Sequence, residues 1–173
     1  MAEITYNSWL SDFKRPFGAA LIGTNFEFDL VINTPHHVEV NFVIQFENGF
    51  KSYDKMTPSS ENRFHFDLNN LSEIGFYNYY FQIIEFDGPH EYRYFYGATD
   101  IGGGLGKTYA DEGAVIPYTQ TIFLKKEKAP DWYRNAIFYQ IFPDAFAQKG
   151  HTNQKDDIFF YGKETDKPYY IRE

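Results

Sequence analysis

The sequence predicts an all-β chain, an immunoglobulin-like antiparallel β-sandwich, and three observations predict it. Aromatic residues make up 21% of the 173 residues, a composition that suits pleated, half-buried surfaces. Apolar and polar residues alternate with period two along several short runs, and turn-forming groups separate those runs at regular spacing. Seven or eight strands ending near residue 125 follow from this pattern.

From the front, Phe26, Phe28, Leu30 and Ile32 alternate with Glu27 and Asp29, and Val38, Val40, Phe42, Ile44 and Phe46 alternate with Glu39, Asn41 and Gln45. These are two half-buried strands, joined by the turn chemistry of Asn33-Thr34-Pro35-His36. Asn48-Gly49 is a hairpin signal, because both residues tolerate positive φ, so Phe50 to Met56 runs back antiparallel. Phe64, Phe66 and Leu68 mark another strand. Phe76 to Phe86 marks a longer one, with Tyr77, Tyr79, Phe81 and Ile83 on one face. After Asp87-Gly88-Pro89, His90 to Tyr96 returns with Tyr92, Tyr94 and Tyr96 on one face, and Tyr118 to Leu124 is the last strand.

At Lys125-Lys126-Glu127-Lys128-Ala129-Pro130 the composition turns polar and charged, the character of a linker. The organisation read from this is a sandwich over 1–125, a linker over 126–134, and a different unit over 135–173. In that last unit Ala136 to Phe142 is a nearly continuous apolar run, the signature of a strand buried on both faces of a parallel sheet. Nothing from Pro143 to Glu173 reads as the strands and helices that would complete such a sheet, so the expectation is the truncated start of a β/α barrel.

The formal charge of −8 lacks the basic footprint that phosphate backbones select, which argues against nucleic acid and anionic membrane surfaces as partners. No apolar run reaches the roughly 20 residues of a membrane span. With no Cys there is neither a disulfide framework nor a thiolate metal site, and Met1 to Tyr6 has no basic, apolar leader, so the expected location is cytoplasmic. The sequon Asn70-Leu71-Ser72 reads as a chance match.

Gly102-Gly103-Gly104-Leu105-Gly106-Lys107-Thr108 resembles a phosphate loop but has Ile101 where the first glycine belongs, and no helical pattern follows. It reads as a flexible loop between strands. His90-Glu91 lacks the second His of a zinc motif, and the adjacent His36 and His37 face opposite ways in a strand, so no metal site is expected. Asp156-Asp157 reads as a solvated turn. The aromatic rows offer more: flat rings with a polar handle stack on sugar faces while neighbours take the hydroxyls. Trp9, Tyr77, Tyr79, Tyr92, Tyr94 and Tyr96 are the candidates for a carbohydrate platform, against core packing as the plainer role of each.

Pro130-Asp131-Trp132 followed by Tyr139-Gln140-Ile141-Phe142-Pro143, with Asp144 and Phe146, resembles the opening of the catalytic domain in glycoside hydrolase family 13, in the neopullulanase, cyclomaltodextrinase and maltogenic amylase group. Pro16-Phe17-Gly18-Ala19, Tyr96-Gly97 and the Gly102 to Gly106 loop are similar in order to that group's N-terminal sandwich. The resemblance implies a parent enzyme acting on α-glucans, with Tyr139, Gln140, Pro143 and Asp144 at the barrel start. Its three catalytic carboxylates sit on later barrel strands, so no catalytic residue is expected in this chain and the chain alone is expected to be inactive. Calcium in the parent is a further implication, but Gln148-Lys149-Gly150 stands where the group often has a carboxylate-bearing loop, so no cofactor is expected here. The implied partners are an α-glucan oligosaccharide or polysaccharide, the chain's own catalytic domain, and a second copy in a homodimer. The rival reading is an immunoglobulin-like protein-interaction module that binds no sugar.

Overall fold

The structure, a computed structural model, describes residues 2–69, 71–125 and 130–140. Asn70 of the sequon, Ile141 and Phe142, the motif residues Pro143, Asp144 and Phe146, the Gln148 to Gly150 loop and Asp156-Asp157 lie outside the described residues. The chain divides into two units, Met1–Glu127 and Lys128–Glu173.

The first unit is all β, in two open sheets. Its strands are β1 (Glu3–Thr5), β2 (Lys14–Arg15), β3 (Ala20–Leu21), β4 (Phe26–Asn33), β5 (His37–Gln45), β6 (Lys51–Lys55), β7 (Thr57–Ser60), β8 (Arg63–Leu68), β9 (Gly75–Asp87), β10 (His90–Ala98), β11 (Gly106–Tyr109) and β12 (Tyr118–Phe123). One sheet runs β1-β4-β8-β7, with β2 also on β4. The other is built on β9, which pairs with β5 along one edge and, on the other, with β12 in its first half and β10 in its second. β6 extends the β5 side, β11 pairs with β10, and β3 joins β12 in parallel.

Every strand expected from alternation forms. The short β1, β2, β3, β7 and β11 carry too few residues to show a period, and they were not foreseen. The hairpin at Asn48-Gly49 closes through a three-residue loop: Phe46 N–H donates to Phe50 O, Gly49 N–H donates to Phe46 O, and Gly49 has φ of +84°. Only that last position requires glycine; the Asn48 side chain accepts from the Phe50 amide at 2.9 Å.

One core lies between the sheets. Phe26, Phe28, Leu30 and Ile32 of β4 meet Val40, Phe42 and Ile44 of β5 and Tyr77, Tyr79, Phe81 and Ile83 of β9, all buried. Each such side chain contributes about 1.5–3 kcal/mol by leaving water. Alternation alone does not describe β5 and β9, because Val43 and Tyr80 are buried on the outer face as well. There they pack with Phe95, Tyr109 and Val115. The turn at Glu112–Ala114 brings the Glu112 carboxylate over this patch, where Lys51, Tyr53 and Tyr80 all donate to it.

The outer face of the smaller sheet carries a charge network around Asp29, which is only 5% exposed. Arg15 and His65 approach it at 2.7 and 3.1 Å, and His65 also reaches Asp67 at 3.1 Å. Burial disfavours the His65 imidazolium, but the hydrogen bonds to Asp29 and Asp67 outweigh it, and the pKa is raised above the ordinary 6.5.

In the second unit, Asp131–Arg134 forms a single helical turn, α1, whose Tyr133 and Arg134 amides donate to Pro130 O. Trp132, Tyr133 and Phe138 cluster, with ring centroids 5.0 to 6.4 Å apart. The strand expected over Ala136 to Phe142 does not form in its described part: Ala136 to Gln140 joins no ladder, and Ile137, Phe138 and Tyr139 are exposed. A parallel strand has no stability without neighbours to satisfy its backbone, and none is present among the described residues.

A histidine with a raised pKa stabilises the fold below pH 6.5 and loses that effect as pH rises through its folded pKa. His65→Gln is therefore expected to cost about 0.5–1 kcal/mol at pH 5.5 and distinctly less at pH 8.5 in urea unfolding. Phe42→Ala, which empties the centre of the core, is expected to cost about 3–5 kcal/mol at both pH values.

Candidate functional site

Six tyrosines and tryptophans were candidates for a sugar platform, and burial separates them. Tyr77, Tyr79, Tyr94 and Tyr96 are 1–6% exposed, so the expectation that they offer ring faces to a ligand is corrected. Period two puts them on the inner face, and each keeps a hydroxyl partner there, which makes burial tolerable. Tyr77 donates to Glu73 O at 2.8 Å, Tyr94 to Glu85 at 3.0 Å, and Tyr79 shares a 2.9 Å hydrogen bond with Tyr6; the Tyr96 hydroxyl bonds to backbone. Burial raises the pKa of all four, so they are neutral at physiological pH. Tyr92 is exposed on β10 beside His90, and Trp9 is 62% exposed.

Trp9 stands at a groove of about 240 Å³ in the first unit, lined by Ser8, Trp9, Lys14, Phe17, Thr119 and Thr121 among others, with Tyr79 in its floor. The lining is assembled from three places. The 7–10 loop follows β1 and is held by a bridge between Asn7 and Leu105 and by the Ser8 amide on Gly104 O at 2.9 Å. Gly104 has φ of +78°, and a Cβ there would fall 2.7 Å from Trp9 Cγ, so only glycine lets the indole rest on this backbone. The glycine-rich segment is thus a support for Trp9, and its end, Gly106 to Tyr109, is strand β11 where a loop was expected.

The second wall is the 16–19 loop, which presents Phe17 at 65% exposure. Gln120 of β12 donates to Gly18 O at 2.9 Å and ties this loop down. Thr119 and Thr121 alternate with the inward Tyr118, Gln120 and Ile122, so their hydroxyls face out along the groove.

Lys14 is the unusual member. Its neighbour Arg15 points outward to Glu27 and Asp29, so strand alternation turns Lys14 inward, opposite Phe28. The residue is 4% exposed. Its Nζ sits 5.4 Å from the Phe26 ring centroid and donates to Pro16 O at 3.4 Å. Among the described residues no carboxylate pairs with it, and burial lowers its pKa from 10.5 to about 8. Sequence reading missed Lys14, Phe17 and the two threonines. Phe17 stood in the Pro16 to Ala19 motif, but nothing in a two-residue strand marks which side chain faces in.

Two exposed rings, hydroxyl groups and one amine make a surface that stacks on a flat apolar face and hydrogen-bonds to hydroxyls. No nucleophile paired with a base lines it. Among the described residues no cluster of three or more His, Asp or Glu is placed to hold a metal ion, and no helix is long and apolar enough to cross a membrane. Of the residues expected at a barrel start, Tyr139 and Gln140 are exposed. Neither the protein-family models nor the curated proteins include a match to this sequence.

Protonated Lys14 costs stability below pH 8, and the cost fades as pH rises toward 10.5, because the unfolded chain holds that proton more tightly. Lys14→Met is therefore expected to be more stable than the parent at pH 7 by about 1–2 kcal/mol. The difference should shrink steadily to pH 10.5 in urea unfolding. A difference independent of pH would show that the buried charge is not its source.

Proposed function

We propose that this chain is the N-terminal region of an α-glucan-acting glycoside hydrolase, with an immunoglobulin-like sandwich that assists binding of starch or maltodextrin. The observation that carries the reading is the pair of exposed rings, Trp9 and Phe17, at a groove bordered by threonine and serine hydroxyls. An α-linked glucan presents alternating apolar faces and hydroxyl edges, and this groove offers a complement to each. The resemblance of the Pro130 to Phe146 stretch to the barrel start of the neopullulanase group supplies the substrate class, and the absence of Cys agrees with a cytoplasmic enzyme. On this reading Tyr139 and Gln140, with Pro143 and Asp144 of the same motif, mark the start of the barrel, and Tyr139 and Gln140 gain a ladder only within a complete catalytic domain. The resemblance puts the group's catalytic carboxylates on later barrel strands, so this reading assigns no catalytic role to a residue named here.

A second reading, a protein-interaction module, draws on the exposed Trp132, Tyr133, Ile137, Phe138 and Tyr139. Exposed apolar groups so close in sequence suit a protein partner, either the catalytic domain or a second copy of the chain.

Calorimetric titration with maltoheptaose, with a β-linked oligosaccharide of similar length as control, separates the two. Saturable binding of the α-glucan alone is expected, and Trp9→Ala and Phe17→Ala are each expected to weaken it about tenfold. No heat at millimolar ligand, together with a mass that rises with concentration in sedimentation, would replace the glucan reading with the interaction module.

A further inference from the structure

Lys14 is a cation in the wrong place for a purely structural residue. A buried ammonium normally acquires a carboxylate or several strong acceptors, because its desolvation is otherwise uncompensated. Lys14 has one carbonyl at the long distance of 3.4 Å, an aromatic ring, and no ion pair among the described residues. Of its three N–H donors, two have no partner there.

The same groove holds other unspent donors. The side-chain hydroxyls of Ser8 and Thr121 make no hydrogen bond to another described residue, whereas Thr119 is already engaged with Asn78. An ammonium and two free hydroxyls beside two exposed rings form a combination that a neutral glucan does not need. It supplies charge where a neutral sugar has none.

We propose that Lys14, with Ser8 and Thr121, forms an oxyanion subsite, and that the groove takes a sugar carrying a phosphate monoester. An ammonium is a point charge, and a phosphate monoester brings it a charge of about −2 and three acceptor oxygens where a carboxylate brings −1 and two, so the phosphate gains more from this donor set. The rings of Trp9 and Phe17 then take the sugar face while Lys14 takes the phosphate. On a protein of net charge −8, diffuse attraction does not draw anions in, so binding at this groove has to come from these local donors. The inference rests on the groove being the sugar site, but the two statements fail separately.

The test is calorimetric titration of the 173-residue chain at pH 7 with glucose 6-phosphate, glucose, glucuronate, inorganic phosphate and maltoheptaose. Parent, Lys14→Met and Lys14→Gln are compared, with circular dichroism to confirm folding. Glucose 6-phosphate is expected to bind at least about tenfold more tightly than glucose or glucuronate, with inorganic phosphate competing. Both variants are expected to erase that preference by weakening glucose 6-phosphate to the level of glucose, since the lost ammonium serves the phosphate and not the ring contact. Equal affinity for glucose and its phosphate, or a preference that survives both substitutions, overturns the subsite. Glucuronate binding as tightly as the phosphate overturns the phosphate assignment. Phosphate binding lost in the variants without any maltoheptaose binding keeps the subsite and rejects the glucan reading; maltoheptaose binding with no phosphate preference does the reverse.

Discussion

Phe28, Phe42 and Tyr79 meet between the two sheets with ring centroids 4.6 to 5.4 Å apart, and this contact sets the register of the first unit. Each ring comes from a different strand, β4, β5 and β9. A slip of one residue in any of them would turn its whole inward set to solvent. The pairing of β5 with β9 over nine residues, and of β4 with β8 over six, follows from keeping these rings together. Aromatic side chains suit this work because each buries a large area with few rotatable bonds and tolerates edge and tilted contacts as well as stacking.

Such a core has a polar side. Tyr6, Tyr79 and Tyr118 crowd together, and only the first two share a hydrogen bond. The Tyr118 hydroxyl and Gln120 Oε1 are buried without a partner among the described residues. Both belong to β12, whose Thr119 and Thr121 line the groove and which pairs with the two-residue β3. Unpartnered polar groups thus fall next to the groove where Lys14 is buried and where Trp9 and Phe17 remain outside.

The charges follow the same geometry. Outward residues of β2, β4 and β8 form the Arg15, Glu27, Asp29 and His65 network, in which each cation has an anion. One residue away, the inward Lys14 has none among the described residues. The contrast between adjacent residues of one short strand comes from the pleat alone, and it produces a stabilising network on one face and a desolvated amine on the other.

Much of the fold was legible in the residues. Alternation in Phe26 to Phe46, Phe64 to Leu68 and Phe76 to Phe86 marked the long strands, and Asn48-Gly49 and Asp87-Gly88-Pro89 marked their turns, because side-chain period and turn chemistry are local properties of the chain. Trp9 was legible only as a residue type, an aromatic ring with a polar handle; its exposure was decided by the fold. Tertiary structure alone decided the rest. Alternation says that Tyr77 and Tyr79 share a face but not whether that face meets a second sheet, so only packing could remove them, with Tyr94 and Tyr96, from the platform. The both-sided burial of Val43 and Tyr80 depends on a turn far along the chain, and the two-residue strands that turn Lys14 inward exist only because β4 and β12 are there to pair with them. The apolar run after Ala136 makes the same point in reverse: its composition is that of a buried strand, but a strand is a relation between segments, and composition supplies only one of them.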